Sequence, residues 1–287
     1  VSSQDHGAIV LNTKIKLWVG GSLSVDKIIT PDPIYTQENN LIKAITFDFW
    51  DTIVYDDSDE PKRAARGMLN KRTARISLLQ KEIQQYHPRM SDQSIIEAFQ
   101  HTEDWCNRCW KQEHYNPSVA QRLMAAYNFL KLEQTQGFED VVSAFERMEI
   151  DIPPDLAPGI RETLEVLSQN YTLGIISDAV ITPGWGLRQI MENAQIADYF
   201  KVFIFSDQIG ASKPSPVVFQ AAQQALGLPF SQIAHVGDRE SNDVEGPRAL
   251  GIKTIFYTGV IDRGSTHTRA DAICPHHHQL AEIIAKL

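Results

Sequence analysis

The sequence predicts an α/β protein, a doubly wound, Rossmann-like parallel sheet interrupted by an inserted helical unit. Three observations lead to this. After Pro153-Pro154, short apolar runs alternate with stretches of helical periodicity. An earlier run of the same character, Ile42, Ala44, Ile45 and Phe47, ends at Asp48. Between them, from about Pro61 to Arg147, apolar positions recur only at helical spacing, with no β-branched run.

Residues 1–40 are expected to form an N-terminal extension. In it, Ile15–Val19 is apolar enough for a strand, and Pro31, Pro33 and Gln37–Asn40 read as a linker. The run after Leu41 has the length and composition of a strand buried on both faces. The helical insert, residues 59–155, carries clear start signals. Ser91-Asp92-Gln93 precedes Ile95, Ile96 and Phe99, and Asn116-Pro117-Ser118 breaks one helix and opens another from Val119 to about Leu132. Beyond it the order is helix Gly159–Gln169, strand Thr172–Ile176, helix Leu187–Met191, strand Val202–Phe205 and helix Pro216–Leu226. Strand Ile233–Val236, helix Asp243–Leu250, strand Lys253–Phe256, a short strand near Ala272-Ile273 and a terminal helix Leu280–Leu287 complete it. The core is therefore expected in two pieces, 41–58 and 156–287.

Composition narrows the functional classes. Of the 287 residues, 43% are hydrophobic and 22% charged, ordinary for a folded domain. The formal net charge of −9 argues against a nucleic-acid or anionic-membrane partner, while leaving room for a local anion pocket. No apolar run approaches the roughly 20 residues that span a bilayer. The opening residues lack the basic start and apolar stretch of a secretory signal. Three cysteines, Cys106, Cys109 and Cys274, give no disulfide framework, so a cytoplasmic location is expected.

Open parallel sheets bind ligands beyond the carboxyl ends of their strands, and those ends carry the chemistry here. The first strand ends in Phe47-Asp48-Phe49-Trp50-Asp51-Thr52 and the second in Ser177-Asp178. A loop carries Gly210-Ala211-Ser212-Lys213-Pro214 into a helix, and a later strand ends in Gly237-Asp238-Arg239-Glu240-Ser241-Asn242-Asp243. Such a set suits phosphoryl transfer. Asp48 would be the nucleophile, and Asp48, Asp238 and Asp243 would supply hard oxygen ligands for Mg²⁺. Ser177 and Lys213 would hold phosphoryl oxygens, assisted by peptide NH groups after Asp48.

In order, these segments resemble the four motifs of the haloacid dehalogenase superfamily. The resemblance covers roughly residues 41–58 and 156–287, and Asp198-Tyr199-Phe200 and Gly251 fit it too. It implies a hydrolase acting on a small anionic substrate through Asp48, with the helical insert serving as a cap over the site. Phosphatases of that superfamily usually carry a second Asp two residues after the nucleophile, as general acid. Here that position is Trp50, which has no acid–base chemistry at neutral pH. Asp51 follows, where Gly is usual; it either replaces the acid or caps and pairs locally. The 2-haloacid dehalogenases also carry an aromatic residue at Trp50's position. They need no metal, and their fourth motif is not Gly-Asp, so Asp238 and Asp243 favour phosphate. A third reading is a phospholigand-binding protein with little turnover.

Among further candidates, Trp50, Asp178, Arg239 and Trp185 are expected to contact substrate, with Trp185 walling the entrance and Arg188 a lesser anion contact. Cys106, Cys109, His101 and His114 would not close a zinc site on one continuous helix, because the two histidines diverge. Packing is the expected role of the cysteines and of Trp105 and Trp110. His276-His277-His278 reads as a surface turn.

Overall fold

The computed structural model describes residues 41–287; the strand expected at Ile15–Val19 and the linker after it lie outside the described residues. The first element, β1 (Ala44–Phe47), is buried at every position. Five helices follow: α1 (Asp59–Ala65), α2 (Lys71–Tyr86), α3 (Asp92–Arg108), α4 (Val119–Leu130) and α5 (Phe138–Asp151). The chain then alternates through α6 (Ile160–Leu167), β2 (Thr172–Ser177), α7 (Gly184–Asn193), β3 (Phe200–Phe205), the single turn α8 (Ser206–Ile209) and α9 (Pro216–Leu226). It ends with β4 (Ile233–Gly237), the short turn α10 (Gly246–Arg248), β5 (Lys253–Tyr257), β6 (Ala272–Cys274) and α11 (Leu280–Ile284).

All six strands are parallel, in the order β3-β2-β1-β4-β5-β6. The chain thus winds outward from β1 in one direction and then, from β4, in the other. The switch lies between β1 and β4, where such sheets leave a crevice. Period-two alternation splits β1 between the two faces. Ile45 and Phe47 pack with Leu164 of α6, Leu187 and Met191 of α7 and Leu280 of α11. Ala44 joins Val218, Phe219 and Ala222 of α9 on the other side. This is the doubly wound fold that the alternating pattern predicts.

The helices between Asp59 and Asp151 have an apolar cluster of their own, which includes Leu79, Ile95, Phe99, Leu123, Tyr127 and Phe145. Side-chain caps at Asn70, Ser91 and Ser118 set three of the helix starts, and Ser118 with Gln121 forms a full capping box. The segments entering and leaving the insert run side by side. Tyr55 donates to the Asp155 carbonyl at 2.9 Å, and Ala157 donates to that of Ile53 at 2.9 Å.

Three local expectations are corrected. The helix expected at Asp243–Leu250 is a wide π-type turn, Glu240–Glu245, leading into α10. The wider turn carries Asn242 and Asp243 into the interior, where Asp243 meets Lys213. The last helix ends at Ile284, three residues early. The histidine run is not a plain surface turn, because His277 is fully buried. Its ring stacks on Tyr257 at 4.1 Å, and its Nε2 lies 2.8 Å from the carbonyl of Thr52. Among the described residues, no helix is long and apolar enough to cross a membrane.

Candidate active site

Asp48 follows β1 directly, and its amide extends the ladder to Val236 of β4 at 2.8 Å. The next residues turn sharply, with Ile53 and Val54 both donating to the Phe49 carbonyl. Asp51 takes a φ of 53° in that turn, a left-handed conformation that favours glycine. Its side chain is fully engaged. One oxygen accepts the Asp56 amide at 3.1 Å and the other accepts Arg263 Nη2 at 2.6 Å. Local capping and pairing, rather than acid chemistry, is what this geometry supports for Asp51.

Lys213, on the loop between α8 and α9, lies at the centre of the site. Its Nζ donates to Asp48 Oδ1 at 2.6 Å and to Asp243 Oδ1 at 2.5 Å. Asp243 also accepts the Arg239 amide at 3.0 Å and sits 3.1 Å from His235 Nε2; the other ring nitrogen of His235 faces the Thr46 hydroxyl. Burial pushes the Asp243 carboxyl up, but Lys213 and His235 outweigh it and hold the group well below its ordinary value. Burial also dominates at Asp48. Lys213 offsets it only in part, Asp243 and Asp238 reinforce it, and the carboxyl is pushed well above the usual range. Asp238 is likewise raised, to about 6, by burial and then by Asp243, against the opposing pull of Arg263.

These shifts share a setting, three carboxylates buried together, with Lys213 paired to Asp48 and Asp243 and Arg263 to Asp238. Asp48, Asp238 and Asp243 each place an oxygen within 4.8 Å of the others. Arg263 Nε holds one oxygen of Asp238 at 2.5 Å, while Asp238 Oδ1 is buried with no hydrogen-bond partner among the described residues. An orphaned anionic oxygen in an acidic cluster is costly unless a cation completes it. Converging hard oxygens are the donor set that Mg²⁺ takes, so the residues fit that ion.

The same strand ends border a cavity of about 320 Å³ lined by Asp48, Trp50, Asp178, Lys213 and Arg239. Trp50 packs edge-on against Phe49. Asp178 is occupied as a clamp: one oxygen accepts the Lys213 amide at 2.9 Å, and the other accepts Trp110 Nε1 at 2.9 Å. Ser177 is at the strand end and buried, but its hydroxyl makes only a long 3.5 Å bond to the Asp178 carbonyl and does not line the cavity. Trp185, expected at the entrance, is 47% exposed on α7 and lines no part of this cavity. Trp110, expected to pack within the insert, lines it instead, 5.7 Å beneath the guanidinium of Arg239. Arg188 is a surface residue paired with Glu192 over Phe203. Lys71, Arg75 and Glu149 from the insert, Asp56 and Asp57 just before it, and Asn242 also line it. No sequence signal marked the three from the insert, whereas Asn242 belongs to the run that follows Gly237. Cys106 and Cys109 are free and buried, and the helix that would carry a zinc pair unwinds into a π-type turn at Cys109–Glu113.

The fold and the site together place a buried, carboxylate-bearing strand end at the switch point of a doubly wound parallel sheet. The chain belongs to the haloacid dehalogenase-like hydrolase family, whose pattern it matches over residues 42–251. It is 34% identical over 101 residues to a glyceraldehyde 3-phosphate phosphatase of Pyrococcus abyssi, covering 35% of this chain and 41% of that protein. A phosphoserine phosphatase of Thermus thermophilus is 32% identical over 77 residues, 27% of this chain and 29% of the relative. The chain thus spans well under half the length of these relatives. Among solved structures, a HAD phosphatase from Thermococcus onnurineus superposes with a TM-score of 0.58 at 21% identity, covering 85% of this chain and 98% of that one. A 2-haloacid dehalogenase from Pseudomonas syringae pv. tomato superposes with a TM-score of 0.59 at 20% identity, covering 86% and 99%. Both share the fold.

Proposed function

We propose that this hydrolase is a Mg²⁺-dependent phosphatase of small phosphomonoesters, acting through an aspartyl-phosphate on Asp48. The observation that carries the reading is the buried trio Asp48, Asp238 and Asp243 around Lys213, with Asp238 Oδ1 left without a partner. A site for a halocarboxylate would gain nothing from three carboxylates in one place, whereas a cation and a phosphoryl group would balance them. The phosphatase names of the relatives point the same way.

In this reading Lys213 fixes Asp48 Oδ1 and leaves Oδ2 to attack phosphorus. The ester P–O bond breaks, and the departing alcohol takes its proton from solvent. Water then attacks the aspartyl-phosphate, releases inorganic phosphate and restores Asp48. Bound at the trio, Mg²⁺ would keep Asp48 ionised and neutralise the incoming phosphoryl oxygens. Lys213 and the Trp110–Asp178 hydrogen bond hold the loops around the reacting atoms. The helical insert, residues 59–155, acts as the cap, because Lys71, Arg75, Trp110 and Glu149 wall the cavity above Asp48. Three free cysteines suit the reducing cytoplasm expected from the sequence.

Phosphate release from a panel of small phosphomonoesters, beside halide release from 2-haloacids, tests this. Phosphate release is expected to need Mg²⁺, to stop with EDTA, and to vanish in Asp48→Asn. Halide release that survives EDTA overturns it in favour of a dehalogenase. Mg²⁺ binding without any turnover favours the phospholigand-binding reading, for which Trp50 in the acid's place is the specific argument.

A further inference from the structure

Arg75 stands out among the basic side chains of the insert. It lies one turn beyond Lys71 on α2, so both side chains project from the same face. Its side chain is only 13% exposed. Its Nε and Nη2 are buried and have no hydrogen-bond partner among the described residues. The nearest carboxylate oxygen, Glu149 Oε1, is 4.0 Å away and already accepts Lys71 Nζ at 2.8 Å. Burial lowers the pKa of Arg75 despite that neighbour. A guanidinium offers five donors in a fixed fork, and burying it unsatisfied is costly.

What Arg75 faces gives the reason. With Ile181 it forms a wall common to two spaces: the cavity of about 320 Å³ beside Asp48, and a second of about 610 Å³ inside the insert. The second is also lined by Arg122, Thr102 and Asn107. Arg122 is occupied through Nε by the Pro117 carbonyl at 3.0 Å. Arg72, at the rim, is neutralised by Glu103 at 2.7 Å. The lining of the inner space is therefore net cationic, with Arg72, Arg75 and Arg122 against Glu103 alone.

We propose that Arg75, backed by Arg122, binds a second oxyanion on the substrate, so that the preferred phosphomonoester carries a carboxylate or a second phosphate at its far end. This rests on the phosphatase reading of Asp48 and adds a substrate class to it. Planar bidentate pairing with an oxyanion would satisfy the donors that the protein leaves open. An apolar tail would leave them unpaired, and the site would reject it.

The test is a ratio of kcat/KM values. ω-Carboxyalkyl phosphates and alkanediol bisphosphates of two to five carbons are compared with n-alkyl phosphates of equal length. The anionic tail is expected to be preferred by about 30-fold at the best length, the scale of a charge-assisted hydrogen-bonded pair. The carboxylate and bisphosphate arms show which oxyanion fits. Arg75→Gln is expected to bring the ratio to within about threefold of unity, mainly through KM, and Arg75→Lys to give an intermediate ratio. Each ratio is taken within one variant, so a partly damaged fold cancels. A wild-type ratio near unity at every length overturns the proposal, as does a preference that survives Arg75→Gln. If no phosphate is released from any compound, the Asp48 reading fails first, and glutarate binding followed by calorimetry judges Arg75 alone. Binding that Arg75→Gln abolishes keeps the anion site, and no binding to the wild-type chain removes it.

Discussion

Lys213 in the sheet and Lys71 in the helical insert are both buried, and both meet carboxylates at hydrogen-bond distance. Lys71 Nζ reaches Asp57 at 2.9 Å, Asp59 at 2.8 Å and Glu149 at 2.8 Å, so its three donors are used. These acids come from the segment entering the insert and from the end of α5, and Thr182, after β2, donates to the other oxygen of Glu149. The acids meet at the lysine and tie separate segments together through it. Around Lys213 the arrangement differs. Asp48, Asp238 and Asp243 converge on one another, and among the described residues they are the only group whose oxygens gather closely enough for a metal ion. Similar residue types thus make a strut in one place and, in the other, a cluster whose oxygens also fit a cation. The difference is whether the carboxylate oxygens meet only the lysine or also gather on one another.

Removing each lysine should separate the two roles. Lys213→Ala is expected to lower turnover by about 10³–10⁴-fold, about 4–5.5 kcal/mol, since it takes away the charge that positions Asp48. The variant should also gain more thermal stability from Mg²⁺ than the wild-type chain, because the cation then carries the whole charge balance. A loss below tenfold breaks the comparison. Lys71→Met should act mainly on stability. Urea unfolding is expected to show a loss of about 3 kcal/mol, the lower end for a broken buried pair, because the Asp57 side chain is 72% exposed and can rehydrate. Combining it with Glu149→Met should recover part of that loss. If Lys71→Met harms turnover more than Lys213→Ala does, the assignment of strut and site is reversed.

The sheet side of this comparison was largely legible in the sequence, and the insert side was not. Asp48, Lys213, Asp238 and Asp243 stand at strand ends or in short loops beside them, so finding the strands found the residues. Arg263 reaches Asp51 across 212 positions of sequence, and no local pattern marks a pair so far apart. Lys71 and Arg75 look like solvated positions on an ordinary amphipathic helix. Only the packing of α2 against α3 and α5, with Asp57, Asp59 and Glu149 gathered on Lys71, turns them inward. The exchange of Trp185 for Trp110 has the same cause: the expected residue was adjacent in sequence to a motif, while the observed one arrives from another element through its bond to Asp178. His277 was misread because three consecutive histidines look like a polar turn. Its burial follows from an aromatic stacking partner and a backbone carbonyl in need of a donor.

His277 also gives the two regions different responses to acid, the smallest of these effects. It holds the Thr52 carbonyl in the turn that follows Asp48, on the sheet side, and the cluster around Lys71 contains no histidine. Burial lowers its pKa from 6.5 to about 4, against a small opposing effect of the Thr52 carbonyl. Below the ordinary value the unfolded chain binds a proton that the folded chain refuses, so the stabilisation is complete above about 6.5 and fades as the pH falls toward 4. Between about pH 7.5 and pH 5 the loss comes to about 2 kcal/mol. The difference in unfolding free energy between the wild-type chain and His277→Gln isolates this group from the carboxylates that titrate alongside it. That difference should be largest near neutrality and shrink by about 2 kcal/mol over the same interval. A difference that stays constant with pH would mean that His277 is solvated enough to titrate normally, and the turn after Asp48 would then lack the acid-sensitive anchor that sets it apart from the Lys71 strut.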